Sequence, residues 1–122
     1  MANILVIDDD PTIRTVFQRY LEKQGYVVRV AANGREGLRL METEPPDLVI
    51  TDIMMPETDG LEVLMAIRSM YSAVPVIAIS GGMRSAPMDF LPMAKKFGAH
   101  KILYKPVELG DLLAVVEELL GK

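Results

Sequence analysis

The 122-residue chain has the length of one domain and is long enough to bury a hydrophobic core. Half of its residues are hydrophobic and a quarter are charged, and the formal net charge of -4 argues against a general nucleic-acid-binding surface. The chain has no cysteine, which excludes disulfides, thiolate metal sites and thiol chemistry. The sequence starts without a signal-peptide pattern and has no apolar run near the roughly 20 residues of a membrane span, so we expect a soluble cytoplasmic domain.

Five short apolar segments have the pattern of strands that are buried on both faces of a parallel sheet. The third contains the run Leu48, Val49 and Ile50 and ends at a single carboxylate, Asp52. The predicted strands are Asn3–Ile7, 27–30, the segment from Leu48 to Asp52, 75–79 and Lys101–Tyr104.

Two helices are predicted in the first half of the chain. Asp10-Pro11 favours a helix start, because Asp10 can cap free backbone N–H groups and Pro11 needs no hydrogen bond at the first helical position. Asn33, with Glu36 three residues later, resembles a capping box and opens the second helix. The apolar stripe of the first helix comprises Ile13, Val16, Phe17, Tyr20 and Leu21, and that of the second is thin, mainly Leu38 and Met41.

Three further helices are predicted in the second half. One follows Gly60, and a short one is limited to 93–97 by Pro92 and Gly98. The last helix has one apolar stripe, made of Leu109, Leu112, Leu113, Val116 and Leu120. Five strands that alternate with five helices predict a single α/β domain, a three-layer sandwich in which helices cover both faces of a parallel sheet.

Polar residues lie at the ends of four of the five predicted strands, and the carboxyl ends of parallel strands meet at one edge of the sheet. Taken alone, each residue has a structural explanation as a strand-end carboxylate, a turn serine or a solvated lysine. Asp10 is expected to be a helix cap rather than a ligand, and His100 an exposed residue outside any site. The joint pattern favours a functional site at that edge, made of Asp8, Asp9, Asp52, Ser80 and Lys105.

The carboxylates predict a site for a hard cation. Three carboxylates packed together disfavour joint ionisation, and a bound cation reverses that cost. Oxygen ligands without histidine or cysteine point to Mg²⁺ rather than zinc, and Mg²⁺ usually binds phosphate oxygens and waters as well. The pattern therefore fits transfer of a phosphoryl group to Asp52, with Lys105 as a second cation and Ser80 as a hydroxyl donor.

With these residues, the sequence resembles the receiver domain of two-component response regulators over essentially its whole length. The resemblance implies a flavodoxin-like, doubly wound five-stranded sheet of order 2-1-3-4-5. The matching residues are Asp8-Asp9, Asp52 followed by Met55-Pro56 and Asp59-Gly60, Ser80, and Lys105-Pro106.

The resemblance also implies the chemistry of the site. A sensor histidine kinase or a histidine phosphotransfer domain would phosphorylate Asp52. Mg²⁺ would be held by Asp9, Asp52 and the backbone carbonyl of Met54, with Asp8 acting through a water. The Lys105-Pro106 peptide bond is expected to be cis.

Phosphorylation would shift the conformation and so alter the binding of a downstream protein. The resemblance places that partner on the face formed by the fourth helix, the fifth strand and the fifth helix. A homodimer is allowed, whereas nucleic acid and membranes are not expected as direct partners. The protein would be a regulator rather than an enzyme in the usual sense, since it catalyses only its own phosphoryl transfer and dephosphorylation.

Two features depart from the family pattern. Ile102, three residues before Lys105, stands where the family usually has Tyr or Phe, and Tyr104 is the only nearby aromatic residue. We therefore hypothesise that the usual switch from serine to aromatic residue is absent or altered. The segment 81–97 is a few residues longer than usual and carries Pro87 and Pro92, which suggests a remodelled face for a partner or dimer.

Several alternatives remain open from the sequence. No room remains for an output domain after Leu120, so we expect residues 1–122 to be a stand-alone receiver or a piece of a longer protein. A phosphorelay intermediate or a phosphate sink would also fit. An aspartyl phosphohydrolase would need an acid/base Asp at position 54, which is Met54, and the acidic first turn disfavours a flavin phosphate site. The complete set of site residues argues against a degenerate receiver that only binds partners.

Overall fold

Strands and helices alternate along the chain in the computed structural model, which describes residues 2–53, 60–80 and 98–121 and only the backbone of residues 60 and 61. The elements are β1 Asn3–Ile7, α1 Pro11–Lys23, β2 Val27–Ala31, α2 Gly34–Thr43, β3 Leu48–Asp52, α3 Gly60–Met70, β4 Val76–Ser80, β5 Lys101–Tyr104 and α4 Leu109–Leu120. Within these ranges, every helix is too short or too polar to cross a membrane.

The five strands form one sheet in the order β2-β1-β3-β4-β5, and all four neighbouring pairs are parallel. This confirms the predicted doubly wound α/β fold. Four of the five predicted helices are present in the described residues, and the short helix predicted over 93–97 lies outside them. β4 extends one residue beyond its predicted end and includes Ser80.

The core consists of two apolar clusters, one on each face of the sheet. Alternate residues of β1 contribute to opposite clusters, as the period of two along a strand requires. α2 and α3 supply Met41, Leu64 and Ile67 to the cluster that contains Leu5 and Ile7. α1 and α4 supply Phe17, Leu21, Leu112 and Val116 to the cluster that contains Ile4 and Val6. The helices therefore cover both faces, as predicted.

The start of α1 agrees with the sequence. An oxygen of the Asp10 carboxylate accepts a hydrogen bond from the backbone N–H of Thr12 at 2.8 Å, and Pro11 is the first helical residue. Val16 is an exception to the predicted buried stripe, because it is exposed while Phe17 and Leu21 are buried. Val16 lies at the edge of the stripe, where it lines a surface groove with Tyr20 and Leu109.

The predicted capping box of α2 is half confirmed. Asn33 Oδ1 accepts a hydrogen bond from the Glu36 N–H at 2.8 Å, as expected. The Glu36 carboxylate, however, accepts from the N–H of Ala32 at 2.6 Å rather than from that of Asn33. The return bond therefore reaches one residue further back along the chain than the simple box predicts.

Two glycines explain the thin apolar face of α2. Gly34 and Gly37 are buried together with Met41. A Cβ atom built on Gly37 would lie 2.8 Å from Cγ1 of Ile7, a core residue that is fully buried. The missing side chain therefore allows α2 to approach β1 closely, a contact that the sequence pattern did not reveal.

His100 is exposed, as predicted, but its ring has a structural role. The ring Nδ1 of His100 accepts a hydrogen bond from the Val76 backbone N–H at 3.1 Å. The backbone N–H of His100 donates to the Val76 carbonyl at 2.8 Å. Partial burial, and then the charge of Arg68, lower the pKa of His100. The neutral ring is therefore the form that joins the start of β5 to β4.

We expect Gly37→Ala to destabilise the fold by about 1–3 kcal/mol, because the new methyl group would displace Ile7 in a packed core. Gly110→Ala is the matched control, since a Cβ at that position in α4 meets nothing within 4 Å. It should be neutral or stabilising by up to about 1 kcal/mol, because alanine favours the helix. Urea unfolding of the two variants measures both effects, and equal stabilities would contradict the packing argument.

Candidate functional site

Two buried carboxylates lie side by side at the carboxyl edge of the sheet. Asp52 ends β3, and Asp8 directly follows β1, whose last residue, Ile7, is paired in register with Thr51. Asp8 is 2% exposed and Asp52 is 3% exposed. The register of two central strands therefore brings together carboxylates that are 44 residues apart in the sequence.

Lys105 brings a cation to both carboxylates from the end of β5. Its Nζ lies 2.8 Å from Asp52 Oδ2 and 3.3 Å from Asp8 Oδ2. Its backbone N–H donates to the Ser80 carbonyl at 2.9 Å, and the bond to Pro106 is cis, as the resemblance implied. The sequence prediction that Asp8, Asp52, Ser80 and Lys105 share one edge is confirmed.

Burial and charge act in opposite directions on these groups. Burial raises the pKa of Asp8, and the nearby charge of Asp52 raises it further, while the Asp10 N–H and Lys105 partly offset the shift. Burial alone would lower the pKa of Lys105, but its hydrogen bond and ion pair with Asp52, together with the charge of Asp8, raise it instead. Lys105 is therefore held in its charged form at neutral pH.

The three consecutive aspartates have different surroundings. Asp8 Oδ1 accepts a hydrogen bond from the Asp10 N–H at 2.9 Å, and the Asp8 carbonyl accepts one from Arg14 Nη1 at 2.7 Å. Asp10 caps α1, which confirms the predicted preference for a cap over a ligand. Asp9 is exposed, unlike the buried Asp8 that precedes it.

The donor set fits a hard divalent cation. Asp8, Asp9 and Asp52 each offer a carboxylate oxygen, and these oxygens lie within 4.8 Å of one another. An all-oxygen set with two buried anions matches the preference of Mg²⁺. The predicted carbonyl ligand from Met54 lies outside the described residues, as do Met55, Pro56 and Asp59 of the matching motif.

The sequence profile of the response regulator receiver domain matches residues 4–117. The chain belongs to this family. Receiver domains are phosphorylation-controlled signalling switches of two-component systems, and the domain described here is such a switch.

Individual relatives agree with the family assignment. A receiver domain protein (CheY-like) from Methanospirillum hungatei JF-1 has a structure of TM-score 0.92 and 31% identity, covering 99% of this chain and 94% of that one. Response regulator MprA of Mycolicibacterium vanbaalenii is 39% identical over 125 residues, covering 99% of this chain and 51% of MprA. The DNA-binding transcriptional regulator NtrC of Proteus hauseri is 33% identical over 116 residues, covering 95% of this chain and 24% of NtrC. The chain thus spans only part of the length of these two regulators.

The surroundings of Ser80, Ile102 and Tyr104 bear on the hypothesis of an altered switch, which stays a prediction. Ser80 is buried at the end of β4 and is paired in register with Tyr104, which is 55% exposed. Ile102 is paired with Ala78 and packs against the cluster that contains Leu5 and Ile7. The aliphatic residue three positions before Lys105 is therefore partly buried against the core.

Arg14 is the contact that the sequence analysis missed at this site. It follows the cap residue Asp10 by four positions, so it lies on the same side of α1 as the aspartates. This four-residue spacing was the only sign in the sequence that Arg14 could reach the acidic residues. The hydrogen bond itself depends on the path of the chain between β1 and α1, which sequence periodicity does not specify.

We expect Lys105→Met to destabilise the receiver domain by about 2 kcal/mol at neutral pH, because it leaves two buried carboxylates without their cation. Adding Asp8→Asn should recover part of the loss, since one carboxylate then remains. Lys101→Met, at the start of the strand that Lys105 follows, is the matched control, and removing its exposed ion pair with Glu118 should cost less than about 0.5 kcal/mol. Denaturant unfolding without divalent cations measures the stability of all three variants. Equal losses of stability in the two lysine variants would contradict the argument that Lys105 compensates the buried carboxylates.

Proposed function

We propose that this receiver domain accepts a phosphoryl group on Asp52 from the phosphohistidine of a sensor histidine kinase or of a histidine phosphotransfer domain. The observation that carries the proposal is the position of the Lys105 ammonium group between Asp52 and Asp8 at the carboxyl edge of the sheet. A carboxylate next to a fixed cation can accept a dianionic group with less electrostatic repulsion than an isolated carboxylate.

In the proposed step, an Asp52 oxygen attacks the phosphorus atom of the donor. The new O–P bond forms as the N–P bond of the phosphohistidine breaks, and the electron pair of that bond remains on the imidazole nitrogen. Lys105, 2.8 Å from Asp52 Oδ2, would neutralise charge on the transferred group. The Ser80 hydroxyl would donate a hydrogen bond to one of its oxygens.

The same proposal assigns the metal ligands. Asp9 and Asp52 would hold Mg²⁺ directly, Asp8 would act through a water, and the Met54 carbonyl would complete the set of protein ligands. When bound, Mg²⁺ supplies positive charge that stabilises the phosphoryl oxygens. The close approach of the three carboxylates within the described residues supports this assignment.

Phosphorylation would change the partner-binding surface. It adds roughly -1.5 to -2 charge units and three acceptor oxygens next to Ser80 and Lys105. The equilibrium can move only by the difference in interaction free energy between the two conformations. We assign the downstream protein to the face of β5, α4 and the segment predicted as a helix over 93–97, where Tyr104 is exposed.

The domain would act on a protein partner rather than directly on nucleic acid, and it would do so in the cytoplasm, as a monomer or a homodimer. Its catalysis would be limited to its own phosphorylation and dephosphorylation. The organisation as a single receiver over residues 1–122 also remains a prediction.

The first test is phosphorylation by acetyl phosphate with Mg²⁺, followed by intact mass. We expect the gain of one phosphoryl group, its loss in Asp52→Asn, and at least tenfold slower labelling in Lys105→Met, because the cation beside the acceptor is gone. Asp10→Asn is the matched control, since asparagine also caps helices and should leave labelling intact. Labelling that persists in Asp52→Asn would refute the assigned acceptor.

The switch is expected to differ from the usual pairing of serine with an aromatic residue. Structures with and without a phosphate mimic should show Tyr104 unchanged, because it is exposed, and Ile102 shifted further inward, because it is only partly buried against the core cluster. An inward rotation of Tyr104 upon binding of the mimic would instead show that the usual switch operates from a shifted position.

A further inference from the structure

Arg14 connects helix α1 to the strand end that carries the acidic pair. Its Nη1 donates a hydrogen bond to the Asp8 carbonyl at 2.7 Å, a short distance typical of a charge-assisted bond. We infer that Arg14 is a positioning residue for Mg²⁺ binding, which acts by fixing the peptide group between Asp8 and Asp9. The inference rests on the metal site of the proposed function.

The Asp8 carbonyl lies just beyond the hydrogen-bonded part of the sheet. Ile7 is the last residue of β1 that is paired in register with both neighbouring strands. The Asp8 N–H still reaches the Ala31 carbonyl at 3.1 Å, and Asp8 Oδ1 accepts from the Asp10 N–H. Together with the ion pair to Lys105, these contacts hold the Asp8 side chain and N–H, and the bond from Arg14 adds a fourth contact, at the carbonyl.

We expect this bond to affect the placement of the Asp9 carboxylate more than that of the Asp8 carboxylate. The peptide group is planar, so a fixed Asp8 carbonyl also fixes the Asp9 N–H and the position of the Asp9 Cα, which is the point from which the Asp9 side chain extends. Asp8 is buried and contacts Lys105, whereas Asp9 is exposed. Asp9 is thus the carboxylate of the cluster whose placement depends most on its backbone.

Charge and position predict opposite effects when Arg14 is replaced. The guanidinium group is positive and hydrogen-bonded to the Asp8 carbonyl, so through space it would repel a divalent cation at the acidic cluster. If charge were its only influence, a neutral replacement would tighten Mg²⁺ binding. If Arg14 orients the Asp8–Asp9 peptide, the same replacement weakens binding. The sign of the change therefore distinguishes a positioning role from a purely electrostatic one.

The experiment is calorimetric titration of the chain with Mg²⁺ at neutral pH. We expect Arg14→Met to bind Mg²⁺ about tenfold more weakly than the natural sequence, as is typical for loss of a residue that orients a metal ligand. Arg19→Met is the matched control, because it removes the same charge from an exposed residue of α1 that borders a surface groove with Tyr20 and Leu109. It should change the affinity less than about twofold.

Two further measurements separate positioning from general damage. Arg14→Lys keeps the charge and a single donor without the rigid fork of the guanidinium, so we expect binding about threefold weaker. In acetyl phosphate labelling, the rate deficit of Arg14→Met should be large at limiting Mg²⁺ and mostly recover at saturating Mg²⁺. A residue needed only for folding would not produce that dependence.

Each outcome decides the inference. Unchanged or tighter Mg²⁺ binding by Arg14→Met would overturn it and leave the proposed function intact, as would an equal loss in Arg19→Met. If Arg14→Met does not fold, the Mg²⁺ affinity of Arg14→Lys tests the inference instead. Weaker Mg²⁺ binding by Arg14→Lys supports the positioning role, and unchanged Mg²⁺ binding overturns it. Absence of Mg²⁺ binding by the natural sequence would overturn both this inference and the proposed metal site.

Discussion

The burial of two neighbouring carboxylates is the constraint on which this receiver domain depends. Asp8 and Asp52 lie at the ends of adjacent central strands, where solvent screens their repulsion poorly. Such a pair is unfavourable unless a cation compensates it, and removal of one partner from a buried group of charges is costly. Lys105 supplies that cation from the end of β5, so three strands must be correctly placed for the site to be stable.

The parallel sheet provides this placement through its register. A shift of one residue in a strand exchanges the side chains on its two faces, and strands that are buried on both faces strongly oppose such a shift. β3 and β4 are buried along their whole length. The apolar core on both sides of the sheet thus fixes the positions of polar side chains at its edge. The resulting balance of charges is sensitive to any added cation or phosphoryl group, which suits a switch.

Much of this architecture was predictable from local sequence. Continuous apolar runs indicated the strands, Asp10-Pro11 indicated the start of α1, and alternation of strands with helices indicated a parallel sheet. Other features were not predictable, because each depends on residues far apart in the chain. Val16 is exposed at the edge of its stripe, Gly37 is required by the approach of Ile7, and His100 accepts a hydrogen bond from Val76.

The sequence by itself determined the order of elements and the chemistry available at each strand end, because apolar periodicity and residue type are local properties. It also determined the resemblance to receiver domains, which the family profile confirms. The tertiary structure alone decided the contacts within that site: Lys105 Nζ lies between Asp52 and Asp8, and Arg14 donates to the Asp8 carbonyl. Distances between strand ends follow from sheet register and helix packing, and these arise from the whole core rather than from any single segment.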